Sequence, residues 1–147
     1  MKIYLGADHA GFTLKEAVKE HLIANGYRVD DLGAVNYDPE DDYPDLVFPV
    51  AEAVVRDPES VGIIFGGSGQ GEAMAANRIP GVRAAVFYDG PDQIVRLSRW
   101  HNNANILSLG ARFIETNRAL QMIDLWLKEK FKGNRHQRRI DKLDQLS

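Results

Sequence analysis

The amino-acid sequence predicts an α/β domain: a doubly wound, Rossmann- or flavodoxin-like sheet of five parallel strands, with helices on both faces and a basic C-terminal helix. Three observations lead there. Apolar runs and segments of helical period alternate along the whole chain, without repeats or low-complexity stretches. Each apolar run is joined to the next by a helix or a crossover, the connection that parallel strands need. And 147 residues suit one domain, residues 1–147, able to bury roughly 68–70% of its unfolded surface.

Taken in order, "KIYLGA" (2–7) reads as a buried strand. "TLKEAVKEHLIANG" follows as a helix with Leu14, Ala17, Val18, His21 and Leu22 at helical spacing, closed by Gly26. "YRVDDLG" is a second strand, "AVNYDPEDDYP" a polar loop, and a helix is expected from about Asp45 to Arg56. "VGIIFGG" is the third strand and "VRAAVFY" the fourth. "PDQIVRLSRWHN" is a helix with Pro91 suited to its first turn, and "NILSLGA" is the fifth strand. An amphipathic helix carrying Leu120, Ile123, Leu127 and Phe131 precedes the basic C-terminal one.

Composition narrows the classes of function. Hydrophobic residues make up 44% and charged residues 27%, as in ordinary soluble domains, and a net charge of −3 gives no general attraction to nucleic acid or an acidic membrane. With no cysteine, disulfides, thiolate catalysis and cysteine-ligated metals are excluded. The N-terminal "MKIYLGADHA" reaches a charge too soon for a secretory signal, and no apolar run approaches ~18 residues. The expectation is a cytoplasmic domain.

Ligands of such sheets bind beyond the carboxyl ends of the strands. That rule collects Asp8 and His9, the loop holding Tyr43, the glycine loop with Ser68 and Glu72, and Arg112 at one end. His101 and Asn102, which precede the fifth strand, fall at the other.

The stretch "FGGSGQGEAMAANR" (65–78) is the most informative. It lacks the Lys-Ser/Thr of a P-loop, and no register gives the dinucleotide fingerprint. One reading is a tight strand-to-helix turn whose Glu72 favours the helix dipole. The other is an anion hole formed by the amides of Gly67, Gly69 and Gly71 and by the Ser68 hydroxyl, with Glu72 as an adjacent base. A base beside an oxyanion hole suits removal of a proton alpha to a carbonyl. The helix N-terminus would weaken Glu72 as a base, and burial would strengthen it.

The other candidates also have two readings. Asp8 either caps the next helix or joins His9 as a polar pair acting on a sugar hydroxyl. The four histidines, His9, His21, His101 and His136, show no metal-ligand spacing, and His21 on the apolar stripe reads as structural. The acidic loop places carboxylates at 38, 40 and 42, but Tyr43 and Pro49 stand where a calcium loop needs glycine and glutamate, so a solvated loop is expected, with Tyr43 turned inward. His101 either packs and caps its helix or serves the site of a second subunit. Arg135 and Arg139, four residues apart on one helix face, suit a small phosphate, or else form a solvated basic surface.

Five segments in sequence order, "GADHAGF", "DYP", "GGSGQGEAMAANR", "RWHNNANILSLGAR" and "RHQRR", cover nearly the whole chain. Together they resemble the type B ribose-5-phosphate isomerase family, which includes the subunits of galactose-6-phosphate isomerase. The resemblance implies a metal-free, cofactor-free interconversion of aldose and ketose phosphates by a homodimer or dimer of dimers with sites at the subunit interface. Many members carry a cysteine base where this chain has Gly66; a subset with "GSG-x-GE" uses the glutamate, which implies Glu72 as base. It further implies Ser68 and the loop amides around the enediolate, and Asp8 and His101 in ring opening. His9, Arg112, Arg135 and Arg139 are implied as phosphate contacts, and Tyr43 and Asn102 as sugar contacts. The leading expectation is D-ribose 5-phosphate to D-ribulose 5-phosphate. Another sugar phosphate, a tetrose or a hexose such as allose or galactose 6-phosphate, a non-catalytic sugar-phosphate sensor, and a flavin or nucleotide carrier are the alternatives.

Overall fold

In the computed structural model, which describes residues 1–146, five parallel strands stand in the order β2-β1-β3-β5-β4. They are β1 (Lys2–Ala7), β2 (Arg28–Asp31), β3 (Val61–Gly66), β4 (Ala84–Phe87) and β5 (Ile106–Gly110). The two central strands β3 and β5 are buried along their whole length, which is why their sequences are apolar runs rather than alternations. The edge strands β2 and β4 are only partly covered. β5 lies between β3 and β4, so the order departs from the flavodoxin arrangement at its last two strands.

The helices are α1 (Phe12–Ala24), α2 (Tyr43–Arg56), α3 (Gln70–Ala76), α4 (Asp92–Trp100), α5 (Thr116–Lys128) and α6 (Arg135–Asp141). Each face of the sheet has its own core. Leu14, Val18 and Leu22 of α1 and Ala119, Ile123 and Trp126 of α5 pack with Ile3, Leu5, Ile63, Phe65 and Leu109. On the other face Val47, Val50 and Val54 of α2 meet Ile64 and Ile106, with Ala75 and Ala76 of α3. The doubly wound expectation holds.

Three details differ from the sequence reading. α2 begins at Tyr43, with Pro44 in its first turn, where a missing amide hydrogen costs nothing. α5 stops at Lys128, so Phe131 lies beyond it. The chain turns at Glu129, which takes an extended backbone while its carboxylate accepts from Trp100 Nε1 and pairs with Arg96 of α4. His21 is not simply packed; its Nε2 lies 2.9 Å from Asp124 Oδ1 and links α1 to α5.

One buried cation shapes the loop that leads to the site. Lys15 has 0% exposure, and its Nζ donates to Asp31 Oδ2 at 2.6 Å and to the Ala34 carbonyl at 2.7 Å. The same loop is laced to β1, with Ala7 N donating to Gly33 O and Ala34 N donating to Ala7 O.

Candidate active site

The strand order reverses between β1 and β3, and registers Ala7↔Phe65 and Gly66↔Gly110 align the carboxyl ends of β1, β3 and β5. Asp8, the glycine loop and Arg112 leave the sheet side by side there. This is the crevice where a doubly wound sheet binds its ligand.

Local backbone chemistry builds the loop. Gly69 has φ +78°, a left-handed conformation that favours glycine, and it supplies the N-cap of α3. The fully buried Ser108 of β5 fastens it, its Oγ donating to Gly69 O at 2.6 Å. Gln70 N donates to Ser68 Oγ at 3.2 Å. Among the described residues the amides of Ser68, Gly69 and Gly71 reach no acceptor. They stand at the start of α3, where the helix dipole favours negative charge.

Glu72 settles the contest between dipole and burial. Its residue is 4% exposed and Asp8 is 7% exposed, so the two carboxyl groups meet away from solvent. Burial pushes the Glu72 carboxyl up from its ordinary 4.5 to about 7. The helix-start amide and the Arg112 charge work in the opposite direction, while the charge of Asp8 and a hydrogen bond to it add to the rise. A carboxyl titrating near neutrality can both take and return a proton at physiological pH.

Gly66 makes this placement possible. A Cβ there would overlap the carboxyl carbon and both oxygens of Glu72. Arg112 lies over Gly67, where a Cβ would come within 3.0 Å of its guanidinium carbon. The Tyr43 ring packs over Gly71, 2.8 Å from where a Cβ would stand, while the residue stays 39% exposed. Asp8 takes up its capping role: Oδ1 accepts from Gly11 N at 3.1 Å at the short 3-10 turn His9–Gly11, and the carboxylate also faces Glu72.

The acidic loop is not wholly solvated, a correction to the sequence reading. Asp38, Glu40 and Asp42 are exposed, but Asp41 folds inward with its side chain 10% exposed. Its Oδ1 accepts from His9 N at 3.1 Å and lies 2.8 Å from His9 Nδ1. That hydrogen bond holds the imidazole above its ordinary 6.5, with help from the charge of Asp8 and against burial and Arg112. Asp41 is a partner of His9 that the sequence did not disclose.

The remaining candidates form a second cluster. His101 closes α4 by donating its amide to Leu97 O, and its ring stacks on His136 with centroids 4.1 Å apart. The segment after α5 brings them together: Lys132 N donates to Trp100 O, and its Nζ sits 3.9 Å from the centroid of the Trp100 ring. Arg139 and Asn102 line the same cleft of about 310 Å³. Burial, then the charges of His101, Arg135, Arg139 and Lys132, hold His136 below its ordinary 6.5. His136, missed in sequence inside a basic run, is the floor of this basic patch.

The structure therefore gathers Asp8, His9, Tyr43, Gly67, Ser68, Gly69, Gly71, Glu72 and Arg112, and separately His101, Asn102, Arg135 and Arg139. α4 delivers His101 and Asn102 to the start of β5, and α6 brings Arg135 and Arg139 to the same cluster, whereas the first group lies beyond the end of β5. Elsewhere, a groove of about 730 Å³ beside α2 is lined by Asp30, Asp45, Glu52 and Asp57, with Arg56 as a lone cation, the wrong sign for a phosphate.

Comparison with known proteins gives a consistent result. The family model described as Ribose/Galactose Isomerase matches residues 3–143. Ribose-5-phosphate isomerase B of Mycobacterium tuberculosis is 45% identical over 142 residues, 96% of this chain and 86% of that protein. The crystal structure of ribose-5-phosphate isomerase B from Mycoplasma genitalium with bound ribulose-5-phosphate superposes with a TM-score of 0.92 at 42% identity, covering 97% of this chain and 93% of that one. A ribose 5-phosphate isomerase from Thermotoga maritima gives 0.93 at 41%, covering 99% and 98%.

Proposed function

The chain belongs to the ribose/galactose isomerase family, and from that premise we propose that it interconverts D-ribose 5-phosphate and D-ribulose 5-phosphate with Glu72 as the base. The observation that carries the mechanism is a buried carboxyl of raised pKa beside three amides without acceptors. Once the sugar ring is open, the Glu72 carboxylate takes the proton from C2, and the electrons move onto the C1 carbonyl oxygen. The resulting cis-enediolate is held by the Ser68 hydroxyl and the amides of Ser68, Gly69 and Gly71. The O2 hydroxyl proton passes to O1 across the cis-enediolate, and the Glu72 carboxyl returns its proton to C1, leaving a hydroxyl at C1 and the carbonyl at C2. The site begins and ends with the same carboxylate.

Asp8 is placed to exchange a proton with the ring oxygen or the anomeric hydroxyl, and Tyr43 and Gly67 shape the sugar's bed. His9 and Arg112 supply positive charge for the phosphate. We assign His101 to ring opening, Asn102 to the sugar, and Arg135 and Arg139 to the phosphate in the site of a second copy. Two chains then complete each site, as a homodimer or as the unit of a dimer of dimers. What supports this is the separation of the two clusters along β5 within one chain. No helix among the described residues is long and apolar enough to cross a membrane, and we place the enzyme in the cytoplasm with its phosphorylated substrate.

The test is proton NMR in D2O with ribose 5-phosphate and EDTA. Ribulose 5-phosphate with deuterium at C1 is expected. Absence of turnover on ribose 5-phosphate, with turnover on allose or galactose 6-phosphate, would overturn the substrate while keeping the chemistry.

A further inference from the structure

We propose that Asp41 is the positioning residue of His9, fixing the imidazole with Nδ1–H turned to the acidic loop and Nε2–H presented to the substrate phosphate. This rests on the reading of His9 as a phosphate contact; the geometry behind it does not.

A carboxylate only accepts hydrogen bonds, so the 2.8 Å contact requires the proton on His9 Nδ1. The neutral ring then has Nε2 as a bare acceptor, which would repel a phosphate oxygen. Only the imidazolium donates from both nitrogens, to Asp41 and to the phosphate at once. The contact to His9 N at 3.1 Å grips the backbone as well, so one carboxylate oxygen holds both the residue and its ring. The ring of Tyr37 stands nearly perpendicular to the imidazole, centroids 6.4 Å apart.

The other oxygen of Asp41 strengthens the case. Oδ2 is buried and has no hydrogen-bond partner among the described residues. A carboxylate shielded in this way needs a cation in contact, and the group it touches is His9. The charged and titratable groups facing the imidazole are Asp8, Asp41 and Arg112, with Tyr37 at its edge. Two carboxylates against one guanidinium favour the imidazolium. A phosphate arriving between His9 and Arg112 adds further negative charge, so substrate binding and protonation of His9 reinforce each other. Asp41 thereby favours the charged form of His9.

The experiment compares the intact protein with Asp41→Asn, which keeps the shape but removes the charge, and with Asp41→Glu as the conservative variant. Imidazole ¹⁵N–¹H NMR, assigned with His9→Gln, reads the tautomer and titration midpoint of His9. Calorimetry reads the affinity for inorganic phosphate. In the wild type the neutral ring is expected as the Nδ1–H tautomer; in Asp41→Asn the midpoint falls and the Nε2–H tautomer appears. Phosphate affinity should drop about fivefold to tenfold at pH 7.5 but less than about twofold at pH 5.5, where His9 is protonated in both. Asp41→Glu should recover part of the wild-type midpoint. An unchanged midpoint and tautomer in Asp41→Asn, or an equal loss of phosphate affinity at both pH values, would overturn the proposal. None of these readouts needs turnover, so a failed isomerase assay leaves this inference standing and the reverse is equally true.

Discussion

Gly66 and Glu72 compete for one volume: the carboxyl of the glutamate lies where the first side-chain atom of residue 66 would be. The sequence resemblance marks position 66 as the place of a cysteine base in many relatives. Here the Glu72 carboxyl reaches the same space from the neighbouring helix. The absence of a side chain at 66 is thus a condition for the position of Glu72.

Gly66→Ala is expected to displace that carboxyl. Overpacking should cost ~1–3 kcal/mol, and a base misplaced by ~1 Å should lose ~10²-fold in kcat. In a Glu72→Ala background the same alanine meets no carboxyl and should cost little stability. Equilibrium unfolding of the four variants measures the coupling; additive effects would mean the two residues do not share the space.

Glu72→Gln preserves shape and polarity while removing the base. Its fold should persist and kcat should fall ~10²–10⁴-fold, together with loss of deuterium incorporation from D2O. Turnover near the wild-type rate would transfer the role to another group.

The raised Glu72 carboxyl also fixes the pH behaviour. As a base it must be ionised, so kcat/KM should fall as pH drops through about 7. Asp8→Asn keeps the cap to Gly11 but removes the neighbouring charge, and the acid limb should move part of the way to lower pH, since burial is the larger cause. For stability the sign is opposite to that of a paired carboxylate. The folded state holds the Glu72 proton more tightly than the unfolded one, so this contribution is fully present below 4.5 and is lost as pH rises through about 7. Glu72→Gln should therefore be relatively more stable at pH 8 than at pH 4. Thermal melts at the two pH values check this.

Arg135→Ala and Arg139→Ala should each raise KM by ~10- to 150-fold, the loss of a charge-assisted contact worth ~1.5–3 kcal/mol. Sharing of sites between chains has a sharper signature. His101→Ala and Glu72→Gln should each lose most activity alone, yet an exchanged equal mixture should regain about one quarter of the wild-type sites by random pairing. No recovery after mass spectrometry confirms exchange would place His101 outside the catalytic site.

The layers, the strand limits and most helix limits were readable because burial leaves periodic marks on a sequence. β3 and β5 are marked by "VGIIFG" and "ILSLG", and α2 by valines at helical spacing. The insertion of β5 beside β3 was not readable, since nothing local distinguishes one apolar neighbour from another. The glycine loop was readable as a site from its own residues, but the ionisation of Glu72 was not. That depends on Asp8, a residue 64 positions away, and on the space that Gly66 leaves. Asp41 looked like three of its exposed neighbours, and only the fold brings it to His9, 32 residues earlier. The stop of α5 at Lys128 is likewise a tertiary effect, set by Trp100 and Arg96 meeting Glu129.

The position of β5 has a consequence for biosynthesis. A chain leaving the ribosome presents β1, β2 and β3 first, and these can assemble as a three-stranded piece. β4 then emerges without a partner, because the strand it pairs with has not yet been made. Until residues 106–110 appear, β3 keeps a bare edge, the kind of surface on which nascent chains aggregate. β5 closes that edge and captures β4 in one event. Ser108, which fastens the glycine loop, and Arg112, which lies over it, arrive with the same strand. A nascent chain thus acquires its finished sheet and its fastened glycine loop together, so every molecule that has passed the hazardous stage of synthesis already has this loop in place.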